Sequence, residues 1–221
     1  MMAPLRSATI LPFDVDSLLL DTEQVHSVMF QDICDSYEKE YTWDVKPEVM
    51  GKKASEGAQE VVGVLQLLTS KEELVEESQA RLRDVFPTAA LRPGAEKLIL
   101  HLRKHNTPFA VATNLESTSF KVETSRHKEL FGLFHHLVLG DDPEVKSCKP
   151  DPAVFLACAK RFSSPPPVEE CLVFEDGPNG VEAVLAAGMQ VIMVPDGNLS
   201  RDLSRKATLV LSSLQDFQPQ L

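Results

Sequence analysis

Two carboxylates at the end of the first apolar segment have a spacing that could do chemistry. In the stretch FDVDSLLLDTE, Asp14 and Asp16 lie one residue apart directly after an apolar run, and Asp21 follows. Burying a charged group costs free energy unless the group is paired or binds a metal ion. The pair therefore predicts a functional site, although two loop carboxylates at the end of a strand would give the same pattern.

Polar residues also follow the later apolar segments of the chain. Thr113 and Asn114 come directly after FAVA, and Lys149 lies in the loop after LVLG. Glu175 and Asp176 come directly after CLVF. Each of these residues also has a purely structural explanation. Thr113 could be the N-cap of the next helix, and Lys149 could be a solvated lysine in a loop. Glu175 and Asp176 could lie at the start of a helix, where negative charge is favourable.

The elements that must position these residues follow from the alternation of helical and apolar segments. From Ala95 onward, helices alternate with short apolar strands, which indicates a parallel sheet covered by helices on both faces. The predicted fold class is therefore α/β, a doubly wound parallel sheet. The predicted strands are Thr9–Phe13, Phe109–Thr113, Leu137–Leu139, Cys171–Phe174, Val191–Val194 and Thr208–Leu211.

The segment after the first strand has a different pattern. Residues 21–90 are predicted to be helix after helix without a strand, and SKEE from Ser70 matches a capping box that starts one of these helices. We therefore expect an α/β core from residues 1–20 and 91–221, with a small all-helical cap at 21–90. Lys52 and Lys53 in this cap are candidate substrate-binding residues, although a solvated basic run gives the same pattern.

The strand ends together predict a metal site. In an open parallel sheet, ligands bind at the carboxyl ends of the strands, so the carboxylates should meet Thr113, Asn114 and Lys149 there. Acids this close cannot all stay ionised without a cation. Oxygen ligands suit Mg²⁺, which completes its shell with water and substrate phosphate. The sequence therefore predicts Mg²⁺ as the cofactor.

Four motifs, taken in chain order, resemble those of the haloacid dehalogenase superfamily of aspartate-nucleophile phosphohydrolases. The resemblance spans the whole chain, and the helical segment resembles that family's cap, which closes over the site and sets specificity. The motifs are D-x-D at Asp14 and Asp16, Thr113 at the end of a strand, Lys149 in KPDP, and Glu175 with Asp176 in FEDGPNG.

The resemblance implies a role for each motif. Asp14 would attack phosphorus and form an aspartyl-phosphate, and Asp16 would be the general acid and base. Thr113, Lys149 and the backbone N–H of Asn114 would bind the phosphoryl group. The implied metal ligands are a carboxylate oxygen of Asp14, the backbone carbonyl of Asp16, and Asp176, with Glu175 beside them. The implied activity is a Mg²⁺-dependent phosphatase acting on a small, nucleotide-type phosphate monoester.

Two residues beside the predicted nucleophile depart from the family pattern. Ser17 stands where glycine is usual, and a serine with positive φ costs on the order of 1–2 kcal/mol. Pro12 lies in what should be a central strand, although proline has no N–H to donate. A catalytically impaired relative that binds ligands or is vestigial is therefore a second hypothesis. A phosphomutase activity is a further alternative. A dehalogenase activity is disfavoured, because a departing halide needs no proton and Asp16 would then have no role.

Composition restricts the partners. The chain has 221 residues and a net charge of −11, which repels nucleic acids and anionic membranes. No apolar run reaches the roughly 18 residues of a membrane span, and we see no secretion signal. The four scattered cysteines indicate free thiols in a reducing compartment. We therefore expect a cytoplasmic monomer that binds a small molecule.

Overall fold

The computed structural model describes residues 5–49 and 54–219 of the chain. The chain forms two compact units, one from Met1–Asp21 with Ala90–Leu221 and the other from Thr22–Ala89. Within the described ranges, the first unit contains a β-sheet with helices and the second contains helices only. No helix among these residues is both long enough and apolar enough to cross a bilayer.

The sheet of the larger unit is parallel throughout the described residues, with the strand order β3-β2-β1-β4-β5-β6. The order reverses between β1 and β4, and ligands bind at such a switch point in doubly wound sheets. The predicted fold class is therefore confirmed. The strands are β1 (Leu11–Phe13), β2 (Phe109–Ala112), β3 (Leu137–Val138), β4 (Leu172–Glu175), β5 (Gln190–Met193) and β6 (Leu209–Val210).

The helical unit has its own apolar core, in which Ile33, Val61 and Leu74 are buried. The predicted capping box is present: the hydroxyl of Ser70 accepts the N–H of Glu73 at 3.2 Å, and the carboxylate of Glu73 accepts the N–H of Ser70 at 3.1 Å. Its helices are α1 (Thr22–Asp35), α2 (Lys46–Val49), α3 (Ala54–Leu65) and α4 (Lys71–Val85).

Further helices cover the sheet of the larger unit. Small side chains allow a close approach here: Ala110 and Ala112 of β2 belong to the same buried cluster as Val154 and Cys158. The latter two lie on α8, whose apolar face packs against β2. The helices of this unit are α5 (Ala95–Lys104), α6 (Ser117–Glu123), α7 (Lys128–Phe131), α8 (Ala153–Lys160) and α9 (Pro178–Ala186).

Two helices, which the sequence pattern predicts over about 22–40 and 117–128, are shorter in the structure for local reasons. The helix expected over residues 22–40 ends at Asp35, because Glu38 has a left-handed φ of 54° and the N–H of Lys39 returns to the carbonyl of Cys34. The helix expected over residues 117–128 divides into α6 and α7. Between them, the hydroxyl of Thr124 donates to the carbonyl of Phe120 at 2.7 Å, which competes with continuation of the helix.

The β1–β4 ladder shows where Pro12 weakens the sheet. The N–H of Leu172 donates to the carbonyl of Ile10 at 3.1 Å, and the N–H of Asp14 donates to the carbonyl of Phe174 at 3.1 Å. Pro12 lies midway between these bonds and has no N–H to offer the Leu172 carbonyl. The strand directly before the predicted nucleophile is therefore held by the hydrogen bonds on either side of the proline.

Candidate active site

A buried ion pair lies directly after β1. Asp14 is 6% exposed and Lys149 is 9% exposed. The ammonium Nζ of Lys149 donates to Asp14 Oδ1 and to Glu175 Oε1, both at 2.6 Å, and to the carbonyl of Ala112 at 3.3 Å. Oxygen atoms thus occupy all three ammonium donors, and the alternative of a solvated loop lysine is wrong.

Burial and charge shift the pKa values of this group. Burial raises the pKa of Asp14 to about 7; Lys149 opposes the rise, and Glu175 adds to it. Burial alone would lower the pKa of Lys149, but the charges of Asp14 and Glu175 outweigh it and raise that pKa above its ordinary value. Burial and the charge of Glu175 also hold the pKa of Asp176 well above its usual range. The group therefore has more acid than its ammonium can neutralise.

Three carboxylates here are close enough to share a cation. One ligand oxygen from each of Asp14, Glu175 and Asp176 lies within 4.8 Å of the others. The donor set contains oxygen only, which suits a hard ion such as Mg²⁺ and not a soft metal. The raised pKa values of Asp14 and Asp176 are the second indication: burial and then neighbouring acids disfavour the ionised forms, which a divalent cation would stabilise. The residues therefore fit the predicted metal.

Backbone contacts fix the side chain of Glu175, the last residue of β4. Its Oε2 accepts the N–H groups of Asp176 at 3.0 Å and Gly177 at 3.2 Å. Gly180 on α9 approaches so closely that an added Cβ would lie 1.9 Å from the Glu175 Cδ. Only glycine leaves room for the carboxylate there, so α9 is part of what positions Glu175.

The end of β2 contributes a hydroxyl and an amide. Thr113 is 1% exposed, and its Oγ1 accepts the N–H of Leu115 at 3.3 Å. Thr113 is not the N-cap of α6, because Glu116 occupies that position, so this alternative is wrong. The side-chain Oδ1 of Asn114 accepts the backbone N–H of Lys149 at 3.2 Å. This bond ties the end of β2 to the loop that carries the ammonium.

The sequence prediction missed a fifth acid at this site. Glu123, the last residue of α6, is 1% exposed, and its carboxyl group lies within hydrogen-bond reach of the side chain of Asp16. Burial and then the charge of Asp16 raise the pKa of Glu123 to about 11. The spacing along α6 could have indicated that this acid is buried. Glu123 lies three residues after the buried Phe120, so it shares the apolar side of the helix.

The turn after β1 has the conformation that the family pattern suggested. Ser17 has a φ of 56°, in the left-handed region that favours glycine. For a serine this conformation costs on the order of 1–2 kcal/mol. The strain lies one residue from Asp16 and three from Asp14, while both carboxylates remain at the site.

The structure brings most of the predicted site residues to the carboxyl edge of the sheet. Asp14, Lys149, Glu175 and Asp176 form the central group, and Thr113 and Asn114 lie beside it. Asp16 faces Glu123, and its charge contributes to the raised pKa of Asp14. Lys52 and Lys53 lie outside the described residues.

Comparisons with known proteins place this site in a family. Residues 10–188 match the haloacid dehalogenase-like hydrolases. A probable pseudouridine-5′-phosphatase from Drosophila melanogaster is 44% identical over 217 residues, which cover 98% of this chain and 94% of that protein. The mitochondrial (DL)-glycerol-3-phosphatase 1 of Arabidopsis thaliana is also 44% identical, over 218 residues that cover 97% of this chain and 73% of that protein.

The fold agrees with the same family. A conserved haloacid dehalogenase-like protein of unknown function from Agrobacterium tumefaciens has a TM-score of 0.81 at 21% identity, covering 95% of this chain and 96% of that one. The family match extends over most of the chain, from β1 to the end of α9, and so includes every described residue of the site. The resemblance predicted from the four motifs is confirmed, and the chain belongs to the haloacid dehalogenase-like hydrolase family.

Proposed function

We propose that the chain is a phosphatase that hydrolyses a small phosphate monoester through an aspartyl-phosphate on Asp14. The observation that carries the proposal is the contact of Lys149 Nζ with Asp14 and Glu175, 2.6 Å from each carboxylate. A phosphate monoester carries about two negative charges and repels an attacking carboxylate. The ammonium supplies positive charge beside the nucleophile, where it reduces that repulsion.

A divalent cation would supply the rest of the positive charge. Asp14, Asp176 and the backbone carbonyl of Asp16 would hold Mg²⁺, with Glu175 beside them. When bound, Mg²⁺ would act as a Lewis acid on the phosphoryl oxygens. The close set of carboxylate oxygens and the raised pKa of Asp14 support this assignment.

Hydrolysis then proceeds in two steps, in which the side chains have different roles. An Asp14 carboxylate oxygen attacks phosphorus in line, and the bond from phosphorus to the leaving oxygen breaks. Asp16 gives its proton to that oxygen and, as a carboxylate, takes a proton from the water that attacks the aspartyl-phosphate. The bond from phosphorus to Asp14 breaks and phosphate leaves. The Thr113 hydroxyl and the Asn114 backbone N–H donate hydrogen bonds to the phosphoryl oxygens.

The proposed substrate is pseudouridine 5′-phosphate. Two kinds of similarity support it: the Drosophila relative bears that name, and segments such as CLVFEDGPNGVEAVLAAGMQV resemble pseudouridine-5′-phosphatases. Glycerol 3-phosphate is the second candidate, because the Arabidopsis relative is equally similar. We further propose a cytoplasmic monomer acting on small molecules, because the four cysteines are free thiols and the net charge is −11.

Phosphate release from a substrate panel tests these assignments. The panel contains pseudouridine 5′-phosphate, glycerol 3-phosphate and a hexose phosphate, each with and without Mg²⁺. We expect Mg²⁺-dependent release that is fastest with pseudouridine 5′-phosphate and absent from Asp14→Asn. Equal release by Asp14→Asn would overturn the mechanism, and a faster rate with another ester would overturn the substrate. An isomerised sugar phosphate, without free phosphate, would indicate a phosphomutase.

Impaired catalysis is the competing function, and the turn after β1 favours it. Ser17 has a left-handed φ of 56°, and Pro12 has no N–H for the β1–β4 ladder. The double variant Pro12→Ile with Ser17→Gly removes both departures. A wild-type chain without activity and a double variant with Mg²⁺-dependent activity would establish that these two residues cause the impairment.

A further inference from the structure

The contact between Glu123 and Asp16 has no part in the mechanism described so far. Glu123 is 1% exposed at the end of α6, and its carboxyl group lies within hydrogen-bond reach of the Asp16 side chain. Asp16 Oδ1 and Glu123 Oε2 are both buried and, among the described residues, neither has a hydrogen-bond partner. Carboxylate oxygens only accept hydrogen bonds, so a bond between the two carboxyl groups needs a proton on one of them.

This geometry sets the direction in which Asp16 points. Two carboxyl groups in contact repel when both are ionised, and they hydrogen-bond only with a proton between them. With that proton, one oxygen of Asp16 is tied to α6 and the other is left for the reacting groups. A general acid must lie within hydrogen-bond reach of the atom that it protonates, so its orientation controls its efficiency.

We propose that Glu123 is a positioning residue, which holds the Asp16 carboxyl in the orientation that protonates the leaving oxygen. The inference rests on the proposed phosphatase function. Glu123 acts through Asp16 and does not contact the substrate. A glutamine at this position could make the same bond, because its amide can donate to or accept from Asp16. An alanine could not.

Two substrates that differ in their leaving group distinguish a positioning role of Glu123 from a general effect on the stability of the protein. Pseudouridine 5′-phosphate releases an alkoxide that must be protonated, whereas p-nitrophenyl phosphate releases a stabilised phenolate that needs no proton. We therefore measure kcat/KM for both esters with the wild-type chain, Glu123→Ala and Glu123→Gln. Glu129→Ala is the matched control, because Glu129 is an exposed glutamate on the neighbouring helix α7.

We expect Glu123→Ala to lose about tenfold more kcat/KM with the alkyl ester than with p-nitrophenyl phosphate. Glu123→Gln should recover most of that selective loss, and Glu129→Ala should match the wild type. Should Glu123→Ala lose its native circular dichroism spectrum, Glu123→Leu replaces it with the same expectation, since leucine fills the buried volume without a hydrogen bond.

Equal losses with both esters, or no loss in a folded Glu123→Ala, would overturn the positioning role and leave the phosphatase proposal intact. Failure of the proposed function looks different: the wild-type chain would then release no more phosphate from either ester than Asp14→Asn does, and both proposals would fall.

Discussion

At the scale of single residues, the charge of the site depends on several buried acids and on the ammonium of Lys149. Asp14 and Glu175 each lie 2.6 Å from its Nζ, and Asp176 lies beside them. Burial raises the pKa of Asp14 to about 7. A carboxyl group that keeps its proton is a poor nucleophile, and a bound divalent cation would supply the positive charge that favours its ionised form.

Replacing the ammonium tests that balance. Lys149→Met keeps the buried stem but leaves two carboxylates without their counter-charge, so we expect the free energy of unfolding to fall by about 3 kcal/mol. Phosphate release should fall by about 10³-fold, because the charge that stabilises the transferring group is lost. Urea unfolding and the phosphate assay measure these effects. Lys146→Met, an exposed lysine of the same loop, should change neither, and a Lys149→Met variant with wild-type activity would refute the role.

The raised pKa of Asp14 also predicts how the stability of the metal-free protein depends on pH. Its pKa is raised to about 7 in the folded protein, whereas an unfolded aspartate titrates near 4. Between these values the folded state keeps a proton that the unfolded state has released, so the contribution of Asp14 to stability falls as the pH rises.

Asp14→Asn removes this titration. Its Tm minus that of the wild type should therefore increase between about pH 5 and about pH 8 in a chelating buffer, measured by calorimetry. A difference that is constant or decreases over this interval would show that Asp14 is ionised in the metal-free protein.

At the scale of elements, short parallel strands bring distant residues to one edge of the sheet. Asp14 follows β1, Thr113 follows β2, and Glu175 ends β4. The sequence predicts this arrangement well, because each polar residue directly follows an apolar run and parallel strands end on the same side. The capping box at Ser70 is similarly predictable, since it depends on residues within one helical turn.

Close packing between elements is harder to predict from the sequence. The approach of α9 to β4 leaves no room for a Cβ at Gly180, and the packing of α6 brings Glu123 to Asp16. Both contacts join residues from separate elements, so no local pattern specifies them. The division between α6 and α7 also depends on a competing side-chain hydrogen bond, which helix propensity alone does not include.

The packing of α9 gives a prediction at this scale. Gly180→Ala places a methyl group on the Glu175 carboxylate, so the carboxylate must move away from Lys149. We expect a loss of about 1–3 kcal/mol in the free energy of unfolding and a larger fractional loss of activity. Urea unfolding and the phosphate assay check both. Gly197→Ala is the control, because its added Cβ has nothing within 4 Å. Unchanged activity in Gly180→Ala would mean that the position of Glu175 is not critical.

At the scale of the whole molecule, the strand order places Asp14, the proposed nucleophile, at a switch point. β1 and β4 are neighbours in the sheet, and the acids that follow them meet where the order reverses. The sequence indicates this fold through the order of its motifs, which the family match supports. It does not specify the leaving group, because two relatives at 44% identity are named for different phosphate esters.

The most direct measurement identifies the residue that becomes bonded to phosphorus. The chain is mixed with pseudouridine 5′-phosphate and Mg²⁺, quenched in acid before the steady state, digested, and mapped by mass spectrometry. We predict a phosphoryl group on Asp14, absent from Asp14→Asn and from samples without Mg²⁺. A phosphoryl group on another residue, or phosphate release that persists in Asp14→Asn, would contradict the proposed mechanism.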